Sequence, residues 1–162
     1  INFISQNGWT VYTPENVLTE YEGRIINSHP GPLDAPYADF GGAKMNDLVV
    51  HAAAIHFFNN VLRPFKTEIN LHFVTKDFDK GEVVARREVE VYPADTPRIL
   101  QQRVKVAERE LLRVFWKRIS LSQKIKPIKR DERVIKEGEE KSLEEAKRQA
   151  IKKWSTPPSV RS

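Results

Sequence analysis

The chain has 162 residues, 40% of them hydrophobic and 30% charged, and no cysteine. That is enough chain for one domain with a real core, and it excludes a disulfide framework, a thiolate zinc site and a cysteine nucleophile. Residues 1–120 carry 15 Lys+Arg against 15 Asp+Glu and residues 121–162 carry 12 against 7, so the net +5 belongs to the last quarter. A balanced body argues against a nucleic-acid-binding fold and leaves a nucleic-acid or partner contact to the basic tail. No apolar run is long enough to span a membrane and Ile1-Asn2-Phe3 opens no signal peptide, so no membrane partner and a cytoplasmic setting are expected.

The elements follow a recognisable grammar. "INFIS" reads as a short strand. Thr13 as N-cap with Pro14 at the first helical position starts a short helix whose apolar side is Val17, Leu18 and Tyr21. Gly23 ends it, and Arg24 to Ser28 returns to strand, the βαβ pattern of a parallel sheet. Pro30-Gly31-Pro32 and Pro36 then forbid helix and hold a fixed loop. "MNDLVVHAAAIHFFNNVL" predicts an Ala-rich helix over about 45–61. "TEINLHFVT" alternates, with Ile69, Leu71 and Phe73 on one face and Asn70, His72 and Val74 on the other. A turn at "KDFDKGE" leads into a second strand, "VVARREVEVY".

The clearest helix is "ADTPRILQQRVKVAERELLRVFWKRI", capped by Asp95 or Thr96, with an apolar stripe of Leu100, Val104, Ala107, Leu111 and Val114. In the tail, Ser142 and Glu145 form a capping box for a short helix at about 142–154. The chain starts without Met and holds neither GxGxxG nor GxxxxGK followed by Ser or Thr, so it reads as opening inside a larger fold.

Three residues can carry chemistry. Asn27 and His29 lie two apart at the end of a strand, where both side chains point to one side. Asp79 sits in the turn between the last two strands, where it can approach a neighbouring strand's mouth. A carboxylate beside an imidazole favours the imidazolium, which can hydrogen-bond a developing oxyanion, and an amide supplies a second bond. The His/Asp pair can relay the proton of an attacking amine, so acyl transfer to nitrogen needs no serine or cysteine. By spacing alone, turn capping by Asn27 and Asp79 and a surface imidazole at His29 is the competing reading.

"RIINSHPGPL", "DFGGAKM", "VVHAA", "LHFVTKDFDKGEVV" and "DTPRILQQRVKVAERELL" resemble, in order and spacing, the C-terminal half of the folate-dependent formyltransferases, from about Gly8 to about Trp116. The likeness is greatest to the purine-synthesis branch, whose acceptor is glycinamide ribonucleotide. The resemblance implies an α/β fold, the C-terminal half of a Rossmann-like mixed sheet with flanking helices over 1–120, followed by a basic helical tail over 121–162. It implies that Asn27, His29 and Asp79 are catalytic, with 10-formyltetrahydrofolate as formyl donor and a small-molecule amine as acceptor. Asn27 and His29 would polarise the formyl oxygen, and Asp79 would orient and charge His29. The backbone of Trp9, Thr10, Val11 and Tyr12, with Ile26 and the turn Val74, Thr75, Lys76 and Asp77, would border the pterin. A phosphate-binding N-terminal half, or a partner chain in its place, would complete the sheet. An amino-sugar nucleotide is the alternative acceptor. A catalytically silent structural subunit of a larger, ribonucleoprotein assembly is the reading from another class.

The remaining polar and aromatic residues have plainer expectations. His51 is a structural imidazole or cap, His56 a helix-surface residue, and His72 either supports the site or touches substrate. Trp9 and Trp116 are core or pocket wall, Arg86 and Arg87 a solvated strand face, and Lys124, Lys126, Lys129 and Arg130 a solvated tail or a phosphate contact. No His, Asp and Glu cluster has metal-ligand spacing, so no metal is expected.

Overall fold

Strand β1 (Ile4–Ser5) and strand β2 (Ile25–His29) form the parallel pair that the strand–helix–strand pattern predicts, joined over helix α1 (Glu15–Glu20). The computed structural model describes residues 3–9 and 11–155. Thr10 lies outside the described residues. Strand β3 (Lys66–Phe73) runs antiparallel to β2, and β4 (Val83–Glu90) antiparallel to β3, giving a four-stranded mixed sheet in the order β1-β2-β3-β4. A short turn is all that joins β3 to β4, too short for the crossover that a parallel pair requires. Helices α2 (Asp47–Val61), α3 (Pro97–Ser120) and α4 (Glu140–Trp154) flank the sheet. The mixed α/β class is the one the sequence implies. No helix among the described residues is long and apolar enough to cross a membrane.

The core explains the two Ala-rich patterns. Ala52, Ala53 and Ala54 of α2 are buried in one cluster with Leu143, Ala146 and Ala150 of α4, small side chains that let two helices approach closely. Phe40, Phe57 and Phe65 complete that cluster as an aromatic triad with centroids 5.0–5.6 Å apart. On α3, Leu100, Val104 and Ala107 are buried as expected. Val114 is 48% exposed, and Phe115 takes the buried place, because four residues from Leu111 returns closer to the inward face than three does here. Phe115 joins Ile26, Leu71 and Val84 in a second cluster, flanked by Phe3 and Trp116.

Several local expectations are corrected. The N-cap of α1 is Pro14, and the Thr13 hydroxyl bonds the Gln6 side chain instead. Of the two caps expected for α3, Thr96 is the one used, accepting from Ile99 N, while Asp95 holds Arg103. Helix α4 starts at Glu140, two residues before Ser142, so no capping box forms. Its would-be partner Glu145 binds Arg148 and Gln149, and Glu139 is claimed by a two-pronged contact from Arg63.

The polar face of β3 is not a solvent face. Glu68, Asn70 and His72 are all buried. Arg130 of the C-terminal segment pairs with both Glu68 and Asp34, and Arg86 approaches the same Asp34 at 3.6 Å. Arg86 and Arg130 are therefore internal ion-pair partners rather than solvated groups. Arg133 pairs with Asp39, and Ile128 N bonds Val83 O, so residues 128–154 are stitched to the sheet and to α2.

Candidate active site

β2 delivers Asn27 and His29 to its C-terminal end, and the chain then folds back over them. Gly31 makes this possible: a Cβ there would lie 2.8 Å from Phe40 Cβ and 3.3 Å from His29 Nε2. Gly41 does the same on the other side, where a Cβ would lie 2.6 Å from Asp79 Cβ. The loop between them is anchored by the Phe40 ring in the core and by Asn70 Nδ2, which donates to Gly31 O at 2.6 Å. The Phe40 carbonyl is thereby placed 2.9 Å from His29 Nε2. A carbonyl only accepts, so Nε2 carries the proton in that bond.

Asp79 comes from the β3–β4 turn with φ +55°, a left-handed conformation that Asp tolerates better than most residues. Its carboxylate lies 3.5 Å from His29 Nδ1 and 3.5 Å from His72 Nε2, and accepts a hydrogen bond from Gly42 N at 2.8 Å. His72 donates its other nitrogen, Nδ1, to Phe73 O. One carboxylate thus sits between two buried imidazoles. Burial pushes the Asp79 carboxyl up, but the charge at His29, the adjoining His72 imidazole and the Gly42 N–H outweigh it and hold the group at about 2. For His29, burial is the largest influence and lowers its pKa below the ordinary 6.5, against the pull of Asp79. Asp79 thus lies beside the Nδ1 edge of His29, and burial outweighs the pull of its carboxylate toward the imidazolium.

Asn27, His29 and Asp79 all line one cavity of about 580 Å³, within the size range of small-molecule sites. The Asn27 side-chain oxygen is buried without a hydrogen-bond partner among the described residues. Beside it, Trp9, Val11, Tyr12, Val74, Thr75 and Asp77 border a narrow cleft that shares Asn27 and Asp79 with the larger cavity. Ile26 and Lys76 line neither: Ile26 is fully buried in the core with Leu71 and Phe115, and Lys76 is exposed on the turn. Phe78, a residue of the same turn, also lines the cleft, and its ring packs on Tyr12 with centroids 4.2 Å apart.

The far wall was missed. Gln101, Lys105 and Glu108 face the cavity from α3, and Ser28 Oγ donates to Glu108 at 2.6 Å. Their spacing of four and three, beside the apolar stripe, is the signal that marks a polar helix face turned toward a site. His51 of α2 lines the cavity too, buried, with Nδ1 unpartnered among the described residues. Burial first, and then the charge at His29, bring it from 6.5 to about 4.

Between those two values the unfolded chain binds a proton that the folded chain excludes, so stability falls as pH drops through this window. The shift corresponds to about 3 kcal/mol. Urea unfolding at pH 7 and pH 4.5 should therefore show a pH-dependent loss that is smaller by most of that amount in His51→Gln. Equal losses in both proteins would show that His51 does not titrate as a buried neutral group.

The formyl transferase family profile matches residues 3–114. Over 111 residues the chain is 30% identical to the chloroplastic phosphoribosylglycinamide formyltransferase of Arabidopsis thaliana, an alignment covering 68% of this chain and 35% of that protein. Glycinamide ribonucleotide transformylase 1 of Geobacillus kaustophilus superposes with a TM-score of 0.51 at 27% identity, over 68% of this chain and 52% of that one. The formyltransferase PseJ of Anoxybacillus kamchatkensis, solved with UDP-4,6-dideoxy-4-formamido-L-AltNAc and tetrahydrofolate, shares the fold at a TM-score of 0.58 and 20% identity, over 82% of this chain and 61% of that one. The chain spans about a third of the curated plant relative's length. With the profile covering more than two thirds of its residues and the mixed sheet matching solved members, the chain belongs to the formyl transferase family.

Proposed function

We propose that this protein transfers a formyl group from 10-formyltetrahydrofolate to the primary amine of glycinamide ribonucleotide. The observation that carries the reading is the convergence of an amide, an imidazole and a carboxylate from two separate segments on the wall of one cavity. The amine nitrogen attacks the formyl carbon, and the C–N bond forms as the carbonyl oxygen takes up negative charge. The Asn27 amide, whose Oδ1 is unpartnered among the described residues, donates to that oxygen from Nδ2. His29 donates its Nε2 proton to the same oxygen by exchanging the Phe40 carbonyl for it. As negative charge develops beside the ring, the Asp79 carboxylate favours the imidazolium. The amine's excess proton passes through this pair, directly or by water, to N10 of the folate as the old C–N bond breaks. The products are a formamide and tetrahydrofolate, with every proton accounted for.

Beside Asn27, Trp9, Tyr12 and Phe78 present aromatic surface against which a flat heterocycle such as the pterin would stack. The larger cavity, with Lys105, Glu108 and Gln101, suits a polar acceptor. A group that anchors the acceptor's phosphate, in a preceding half or a partner chain, is part of this proposal. In the tail, Arg130 and Arg133 are engaged by Asp34, Glu68 and Asp39, which leaves Lys124, Lys126 and Lys129 as exposed cations for any nucleic-acid contact.

Acceptor choice is tested by competition. With 10-formyltetrahydrofolate saturating, formylation of glycinamide ribonucleotide should exceed that of a nucleoside-diphosphate amino sugar by at least about 100-fold in kcat/KM, since acceptor polar groups left unpaired are heavily penalised. A reversed preference would assign the protein to amino-sugar formylation.

A further inference from the structure

Helix α4 lies beyond the family match, which ends at residue 114, yet it reaches the site. Lys147, half-way along α4, inserts its ammonium into the loop that covers His29. Nζ donates to Asp39 O at 2.9 Å and to Gly41 O at 3.0 Å, the two carbonyls on either side of Phe40. The intervening Phe40 carbonyl faces the other way, onto His29 Nε2, and the next amide, Gly42 N, faces Asp79. A second C-terminal group secures the same loop, since the Arg133 guanidinium pairs with the Asp39 carboxylate.

We propose that Lys147 is a positioning residue for the His29–Asp79 pair: by holding the Asp39 and Gly41 carbonyls it fixes the orientation of the peptides that bond His29 and Asp79. Two features support a role beyond general packing. Among the described residues, both side-chain hydrogen bonds of Lys147 go to main-chain carbonyls of this one loop. Its ammonium is also partly buried, and burial lowers its pKa against the attraction of Asp39 and Asp79. Placing a charge there is unfavourable unless those carbonyls repay it, so a side chain needed only for packing would be apolar. α4 is itself clamped by Arg63 on Glu139 and by Leu143, Ala146 and Ala150 in the core, so the lysine is presented from a rigid support.

The kinetic part of this inference rests on the formyl-transfer reading, and the spectroscopic part does not. In the wild-type chain, nitrogen-detected NMR should show His29 as the Nε2–H tautomer. In Lys147→Met that resonance should give way to a mixture of tautomers, with kcat down roughly tenfold to 100-fold and donor KM changed by less than about threefold. Lys147→Arg, which keeps cationic donors, should restore part of both. If neither protein turns over but the tautomer is lost in Lys147→Met, the positioning role stands and formyl transfer falls. An unchanged tautomer with unchanged kcat would overturn the proposal, even if the melting temperature dropped. Should Lys147→Met fail to fold, Lys147→Gln, which keeps one donor, is read by the same two signals.

Discussion

Substituting His29→Ala is expected to lower the rate of formyl transfer by about 10³-fold, the combined scale of a lost oxyanion donor and a lost proton relay. The donor KM should change little, because the aromatic wall proposed for the pterin is Trp9, Tyr12 and Phe78 and does not include His29. The substitution removes a side chain that is 4% exposed, so some stability is lost as well, and the rate must be measured well below the variant's melting temperature. Asp79 gives the companion test. Asp79→Asn keeps the volume of the side chain and removes the charge between His29 and His72, so the rate should fall while the fold persists. A structural subunit derived from this family would behave differently: its function would survive the His29 change. Retention of full transfer activity in His29→Ala would remove that residue from the mechanism.

The largest stability effect is expected outside the family match, at Arg130. Its guanidinium pairs with Glu68, which is 1% exposed, and with Asp34. Arg130→Met leaves the Glu68 carboxylate buried with Asn70 and the more distant Arg86 as its remaining support. Breaking a buried pair from one side destabilises by about 3 kcal/mol or more. Burial already raises the Glu68 pKa, and Arg130, Asn70 and Arg86 hold it back. Without Arg130 it rises further, so the variant's deficit is full at pH values above that pKa and shrinks as pH falls and Glu68 takes up a proton. Adding Glu68→Gln should recover much of the loss, and the double-mutant cycle in urea measures the coupling. A deficit below about 0.5 kcal/mol, typical of exposed pairs, would mean that the C-terminal segment is a surface appendage.

Much of this architecture was legible in the chain because local rules and tertiary packing agree there. Pro14, Gly23 and the 3.6-residue apolar stripe of α3 mark element ends and faces with ordinary propensity arguments. The Asn27-x-His29 pair was legible because its two-residue spacing sets a common side, and the structure places both residues on one cavity. What the pattern could not give was the environment of those groups. The alternation in β3 suggests a solvent face, but Asn70 and Glu68 are covered by segments that lie 39 and 62 residues away in sequence, at Gly31 and Arg130. The same distance problem hid Lys147, which reads as one more tail cation until α4 is docked on α2. Burial, which depresses the His29 pKa, is likewise a tertiary property that no spacing rule contains.

The most direct measurement follows the formyl carbon. The native protein is given 10-formyltetrahydrofolate labelled at that carbon, with glycinamide ribonucleotide in excess, and the products are resolved. The proposed function predicts that the label appears in a new formamide on the acceptor, one for each tetrahydrofolate released, and that His29→Ala suppresses both together. Label released as formate, independent of the amine, would mean that water is the acceptor and that transfer to nitrogen is the wrong account.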